Sequence, residues 1–109
     1  MQAEKAKTRH IADTMTFDVT IPVLNEAETL DRQVRTLHQF LEKHFPTPGQ
    51  WRIVIADNGS TDDTPRIAES LSREFSEIML LRVPEKGVGL ALKTSWTGSH
   101  ADIVGYMDL

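Results

Sequence analysis

The sequence predicts an α/β domain, a parallel sheet with helices against its faces, and two observations carry that prediction. Four short apolar and mostly β-branched stretches occupy residues 17–23, 51–56, 78–83 and 103–107. Three longer segments between them carry apolar residues at steps of three or four, the period of a helix with one buried face. Such an alternation buries both kinds of apolar surface when parallel strands lie under the helices. The length, 109 residues, admits one domain and not two.

Taken in order, residues 1–14 are polar and lack the apolar core of a signal peptide. They are expected to be a disordered or cloning-derived tail, with the domain proper, a partial one, over 15–109. After the first strand, Leu30, Val34, Leu37, Leu41 and Phe45 form one helical stripe, with Asp31, Arg32, Arg35, Gln39 and Glu42 facing away. Asn25 followed by Glu28 makes a capping-box-like start, and Pro46, Pro48 and Gly49 end the helix. The second helix is expected to bury Ile67, Ala68, Leu71 and Phe75, with Asp62, Asp63 and Pro65 in its first turn. The third carries Val88, Ala91, Leu92 and Trp96. Right-handed crossovers then give a Rossmann-like βαβαβαβ wedge of about four strands. The fourth stretch reads as a buried strand ending on Asp108, one residue before the last. Ligands of open α/β sheets bind beyond the carboxyl ends of the strands, so the chain is expected to be the front portion of an enzyme without a complete active site. Its last strand, at a sheet edge or lacking a neighbour, is expected to promote self-association.

Composition narrows the function classes. No cysteine is present, which excludes disulfides, thiol-ligated metal and a cysteine nucleophile, and suits a cytoplasmic setting. The net charge of −4 arises from 12 basic and 16 acidic side chains dispersed along the chain, with no basic stripe for nucleic acid. The apolar runs fall far short of the roughly 20 residues that span a bilayer. The four histidines, His10, His38, His44 and His100, have no shared spacing and read as surface residues.

Four places at strand ends could carry chemistry. The first strand ends Ile21-Pro22-Val23-Leu24-Asn25-Glu26. It lacks the glycines of a dinucleotide fingerprint or a P-loop, and its stiff backbone could flank a flat base. Pro22 could equally be strand punctuation, and Asn25 with Glu26 helix-start chemistry. Asp57 follows the second strand, where its carboxylate can accept from a ring imide N–H or a ribose hydroxyl. In the following Asn58-Gly59-Ser60-Thr61-Asp62-Asp63-Thr64, the first pair suits a turn, and Asp62, Asp63 and Thr64 read as structural. Lys86 opens Lys86-Gly87-Val88-Gly89, where a point charge and close backbone approach would suit a phosphate. Asp108 could hold a hard divalent cation through oxygen, or simply terminate a strand.

Together and in order, from about Phe17 onward, these pieces resemble the family 2 glycosyltransferases. Ile21-Pro22-Val23-Leu24-Asn25-Glu26 is similar to the family's first-strand motif, Asp57-Asn58-Gly59-Ser60-Thr61-Asp62 to its Asp-x-Gly-Ser-x-Asp motif, and Met107-Asp108-Leu109 to the start of its Asp-x-Asp metal motif. The resemblance implies the N-terminal part of a GT-A type fold. It also implies nucleotide-sugar contacts from Pro22, Leu24, Asn25, Glu26, Asp57, Lys86 and Asp108, and Mg or Mn near Asp108. No catalytic residue is expected within the chain. Lys86-Gly87-Val88-Gly89 with the segment ending at Asp108 is most similar to polyprenyl- or dolichyl-phosphate hexose synthases. That likeness implies a UDP- or GDP-linked hexose donor, a lipid-phosphate acceptor, inversion at the anomeric carbon, and a place at the cytoplasmic face of a membrane. Leu24 and Asn58 depart from the aromatic residue and the acid often found at those positions. The alternative from another class is a phosphoacceptor receiver, which needs an acid pair after the first strand where this chain has Asn25-Glu26.

Overall fold

The computed structural model describes residues 15–83 and 88–108, with backbone alone at 88–91. Expectations for residues 1–14, Lys86, Gly87, Leu109 and the side chains of Val88 and Ala91 lie outside that range. Strands β1 (Phe17–Val23), β2 (Trp51–Asp57), β3 (Ile78–Arg82) and β4 (Ile103–Tyr106) alternate with helices α1 (Leu30–His44), α2 (Thr64–Glu74) and α3 (Val88–Thr97). All strand pairs are parallel, and the order across the sheet is β3-β2-β1-β4. After β3 the chain therefore crosses back to the far side of β1. The crevice between β1 and β4 is the point where strand order reverses, the usual ligand position of an open α/β sheet.

Side-chain alternation gives the sheet two unlike faces. One is aliphatic: Ile21, Val23, Ile53, Ile55 and Ile78 pack against Leu30, Val34, Leu37 and Leu41 of α1 and Ala68 and Leu71 of α2. The other face, toward α3, is polar at its centre. The hydroxyls of Thr20 and Ser95 lie 2.7 Å apart, both buried. Next to them Arg52 donates to Asp18 from Nε (3.1 Å) and Nη2 (2.7 Å), and Ser99 Oγ donates to the same carboxylate at 2.6 Å. Burial opposes ionisation of Asp18, but the bonds from Arg52 and Ser99 outweigh it and hold the carboxyl below the ordinary carboxylate range.

A carboxyl lowered in the folded state adds stability above its unfolded pKa and loses it as pH falls through the folded value. Arg52→Gln removes the charged donor that opposes burial, so the Asp18 pKa should rise from its lowered position. The variant is expected to lose about 2 kcal/mol at pH 7. The gap from wild type should close as pH falls below about 4, read from urea midpoints along a pH series.

Several local expectations need correction. Asn25 and Glu28 do not cap α1, which starts at Leu30 after Thr29 without a side-chain cap. Asn25 is instead held at φ +53° with its side chain engaged elsewhere. Phe45 lies just beyond α1, partly exposed, with its ring edge-on to Phe17 at 5.0 Å. His38 is buried, not on the surface. It sits on the inward side of α1 next to Leu37, stacks near Phe75 and Trp51, and its Nε2 is 2.7 Å from Glu77 Oε1. His44 and His100 are exposed, as expected. Among the described residues β4 lies at the sheet edge, as expected, but it is not buried: Ile103 and Tyr106 are half exposed or more.

Candidate nucleotide-binding rim

The site forms where β1 and β2, the two inner strands, deliver their carboxyl ends side by side. Val23 and Asp57 are register partners, and the backbone N–H of Asn58 donates to Val23 O at 2.9 Å. Asp57 is the last residue of β2 rather than the first beyond it, and its parity turns it toward the α1 and α2 face, just past Ile55. It is 1% exposed. Its Oδ1 accepts from Ser60 N–H at 3.3 Å, made possible by the turn through Gly59 at φ +89°. Its Oδ2 is buried with no hydrogen-bond partner, and Arg82 Nε at the end of β3 is 3.6 Å away.

The loops after β1 and β2 are fastened together by side chains. Asn25 N–H donates to Ser60 Oγ at 2.9 Å, and Asn25 Oδ1 accepts from the N–H groups of Thr61 (2.9 Å) and Asp62 (3.3 Å). Glu26 N–H donates to Thr64 Oγ1 at 2.8 Å and Ala27 N–H to Asp62 Oδ2 at 3.2 Å. Asp62 Oδ1 accepts from Thr64 N–H, so Asp62, not the exposed Asp63, does the capping work at α2. The bond from the Thr64 hydroxyl, and then those from the backbone N–H groups of Thr64 and Ala27, keep the Asp62 carboxyl below the ordinary range. Thr64 is fully buried while making these bonds. A cleft of about 250 Å³ opens between the loops, lined by residues 25–29 and Asp62.

The structure thus brings Asn25, Glu26 and Asp57 onto one rim. Pro22 is partly buried in β1 beside Ala56, Leu24 is exposed at the strand end, and Lys86 lies outside the described residues. Asp108 is exposed two residues beyond β4 instead of ending it. Sequence reasoning missed Arg82 as a neighbour of Asp57, although a charge closing an otherwise apolar strand was a visible signal. It also missed that Asn25 ties the loops together, a long-range link between residues about 35 positions apart that no local pattern announces.

Asn25→Ala removes the acceptor for two backbone N–H groups and puts a Cβ residue without a local hydrogen bond at positive φ. A loss of about 1–2 kcal/mol is expected by urea unfolding. Asn25→Gly should recover only the backbone share of it.

Comparison with known proteins agrees with this geometry. The sequence profile described as "Glycosyl transferase family 2" matches residues 18–109. Glycosyltransferase AglD of Haloferax volcanii is 31% identical over 91 residues, 83% of this chain and 14% of the relative. Succinoglycan biosynthesis protein ExoA of Rhizobium meliloti is 38% identical over 68 residues, 62% of this chain and 19% of that protein. Among solved structures, mannosyltransferase PcManGT from Pyrobaculum calidifontis, in complex with GDP-Man and Mn2+, superposes with a TM-score of 0.70 at 25% identity, covering 88% of this chain and 28% of that one. S. aureus TarS 1-349 in complex with UDP shares the fold, with a TM-score of 0.65 at 21% identity over 86% of this chain and 27% of its own. The chain spans less than a third of the length of each of these. The receiver alternative is not favoured, since none of these likenesses points to it and the place of its acid pair is taken by Asn25, whose side chain fastens two loops. With the parallel sheet in the order found and the Asp57 rim at the carboxyl ends of its inner strands, the match over residues 18–109 makes this chain a member of glycosyl transferase family 2.

Proposed function

We propose that this chain supplies the donor-binding rim of an enzyme that moves one hexose from a UDP- or GDP-linked sugar to a polyprenyl phosphate. The observation that carries the reading is Asp57 Oδ2, a buried acceptor without a hydrogen-bond partner at the carboxyl end of an inner strand. Burying such a group unpaired is costly, and a base N–H or ribose hydroxyl arriving there relieves that cost. Leu24, Asn25 and Glu26 flank the ligand from the β1 side, Pro22 stiffens the approach, and Lys86 balances the diphosphate. The GDP-Man held by PcManGT, at 25% identity, supports a nucleotide sugar as the ligand class.

Transfer would form a bond from an acceptor phosphate oxygen to the anomeric carbon. The bond from that carbon to the diphosphate oxygen breaks, with the electron pair leaving on the nucleotide. A single displacement of this kind inverts the anomeric carbon. A phosphate acceptor is already anionic at neutral pH, so it has little need of a general base. The chain's part is to bind and orient the donor.

Among the described residues no three His, Cys, Asp or Glu side chains gather to hold a metal ion. Asp108 offers one exposed carboxylate beyond β4. That suits Mg or Mn, which commonly bind through one or two carboxylates with substrate phosphates completing the shell. When bound, the ion offsets charge on the leaving diphosphate. A lipid-phosphate acceptor would place the work at the cytoplasmic face of a membrane; among the described residues no helix is long and apolar enough to cross one.

The test is an amide-resolved NMR titration with UDP and GDP in the presence of magnesium. Shifts clustered at Leu24, Asn25 and Asp57 are expected for one of the two nucleotides. A folded chain that responds to neither would end the donor-site reading.

A further inference from the structure

A groove of about 440 Å³ runs between α1 and the chain just past β4, lined by Arg32, Gln33, Thr36, Leu37, Phe40 and Met107. Small-molecule sites commonly measure roughly 300–1,000 Å³. Leu37, Phe40 and Met107 make much of it apolar, yet Phe40 is 54% exposed and Met107 42%. Exposed apolar surface rimmed by polar groups marks a place that another molecule covers. Gly105, two residues before Met107 on the same side of the strand, leaves open space where a Cβ would stand. The polar groups gather at one end: Arg32 and Gln33 are in the first turn of α1, about 10–12 Å along the helix from Phe40. Every other described arginine has a carboxylate in ion-pair range, whereas Arg32 has none among the described residues. Gln33 Oε1 is buried and makes no hydrogen bond, and a half-turn of the amide presents its NH2 there instead. Among the described residues no carboxylate lines the groove. An unpaired cation and an amide at one end of an apolar channel complement an amphiphile with an anionic head.

We propose that this groove holds a lipid-phosphate acceptor, with its phosphate at Arg32 and Gln33 and its first isoprene units along Leu37, Phe40 and Met107. The inference rests on the transferase reading above and extends it, giving this chain a hold on the acceptor as well as on the donor. Met107 directly precedes Asp108, which puts the groove beside the carboxylate that would hold the ion. Burial of the isoprene chain supplies the affinity, and the guanidinium fixes which end of the lipid faces the first turn of α1.

The experiment titrates wild type, Arg32→Ala and Phe40→Ala with farnesyl phosphate, farnesol and inorganic phosphate, and follows the amide shifts. Arg32 and Phe40 are exposed, so neither substitution disturbs the core. In wild type, farnesyl phosphate is expected to shift Gln33, Thr36, Leu37, Phe40 and Met107. Arg32→Ala should weaken it about tenfold, as for a lost charge-assisted hydrogen bond, and leave farnesol unchanged. Phe40→Ala should weaken both, and inorganic phosphate should leave Phe40 and Met107 unmoved. Farnesyl phosphate that does not shift the groove residues would overturn the proposal, as would equal affinity for it in wild type and Arg32→Ala. UDP and GDP in the same series test the donor rim separately. Shifts at Asp57 with none in the groove would overturn this inference and leave the donor-site reading standing; groove shifts without a nucleotide response would support the groove and end that reading.

Discussion

Asp57→Asn is expected to weaken UDP or GDP binding by about 100-fold while leaving the fold intact. The substitution keeps size and shape, and the remaining carbonyl oxygen can still accept from Ser60 N–H, as Oδ1 does now at 3.3 Å. What changes is the second position. The unpartnered acceptor Oδ2 becomes an NH2 donor, pointed at ligand groups that also donate and at the Arg82 guanidinium 3.6 Å away. A lost hydrogen bond to a charged group is worth about 1.5–3 kcal/mol, and every 1.4 kcal/mol is tenfold in affinity. Isothermal titration of both proteins with UDP and GDP reads this directly. Equal affinities in wild type and Asp57→Asn would show that the carboxylate does not touch the nucleotide.

The largest effect on stability is expected at Ile53. It is fully buried on the inner strand β2, with Val19 and Ile78 as register partners on either side. Packing from both neighbouring strands and from the helices leaves little room for collapse around a smaller side chain, so the cavity term adds to the lost transfer energy. Ile53→Ala should cost about 2–5 kcal/mol. Against a typical total of about 5–15 kcal/mol, that is enough to leave the domain marginal. A thermal melt followed by circular dichroism should show a drop of at least about 10 °C. Met79→Ala on the exposed edge strand β3 should change little by comparison. A drop of only a degree or two in Ile53→Ala would mean that the aliphatic face is not the main core.

The alternation of strands and helices was legible because its signals are local. Ile53 and Ile55 alternate along one strand, and Leu30, Val34, Leu37 and Leu41 recur at helical spacing. The place of Asp57 was legible for the same reason, as an acid at the end of an apolar run. What escaped was set by tertiary structure. His38 is one step from Leu37 on the helix, and nothing nearby in sequence signals that Glu77 will meet its ring nitrogen and let it be buried. Asp18 and Arg52, 34 positions apart, carry no local sign of pairing, and only the register places them side by side next to Ser99. Asn25 fits the composition of a helix cap, yet two backbone N–H groups from the neighbouring loop claimed its side chain first. The fourth stretch was expected at an edge and is found there, but its apolar content also suggested burial, and the edge place leaves Ile103 and Tyr106 exposed.

The fastening of the two rim loops bears on how such a sequence can diverge. Residues 25–27 and 60–64 exchange donors and acceptors in both directions, backbone to side chain and side chain to backbone. Neither stretch can change alone without stranding a polar group in the other. A change in one loop that keeps these bonds therefore calls for a matching change about 35 positions away. Grafting a new ligand preference onto this scaffold would require exchanging both loops together.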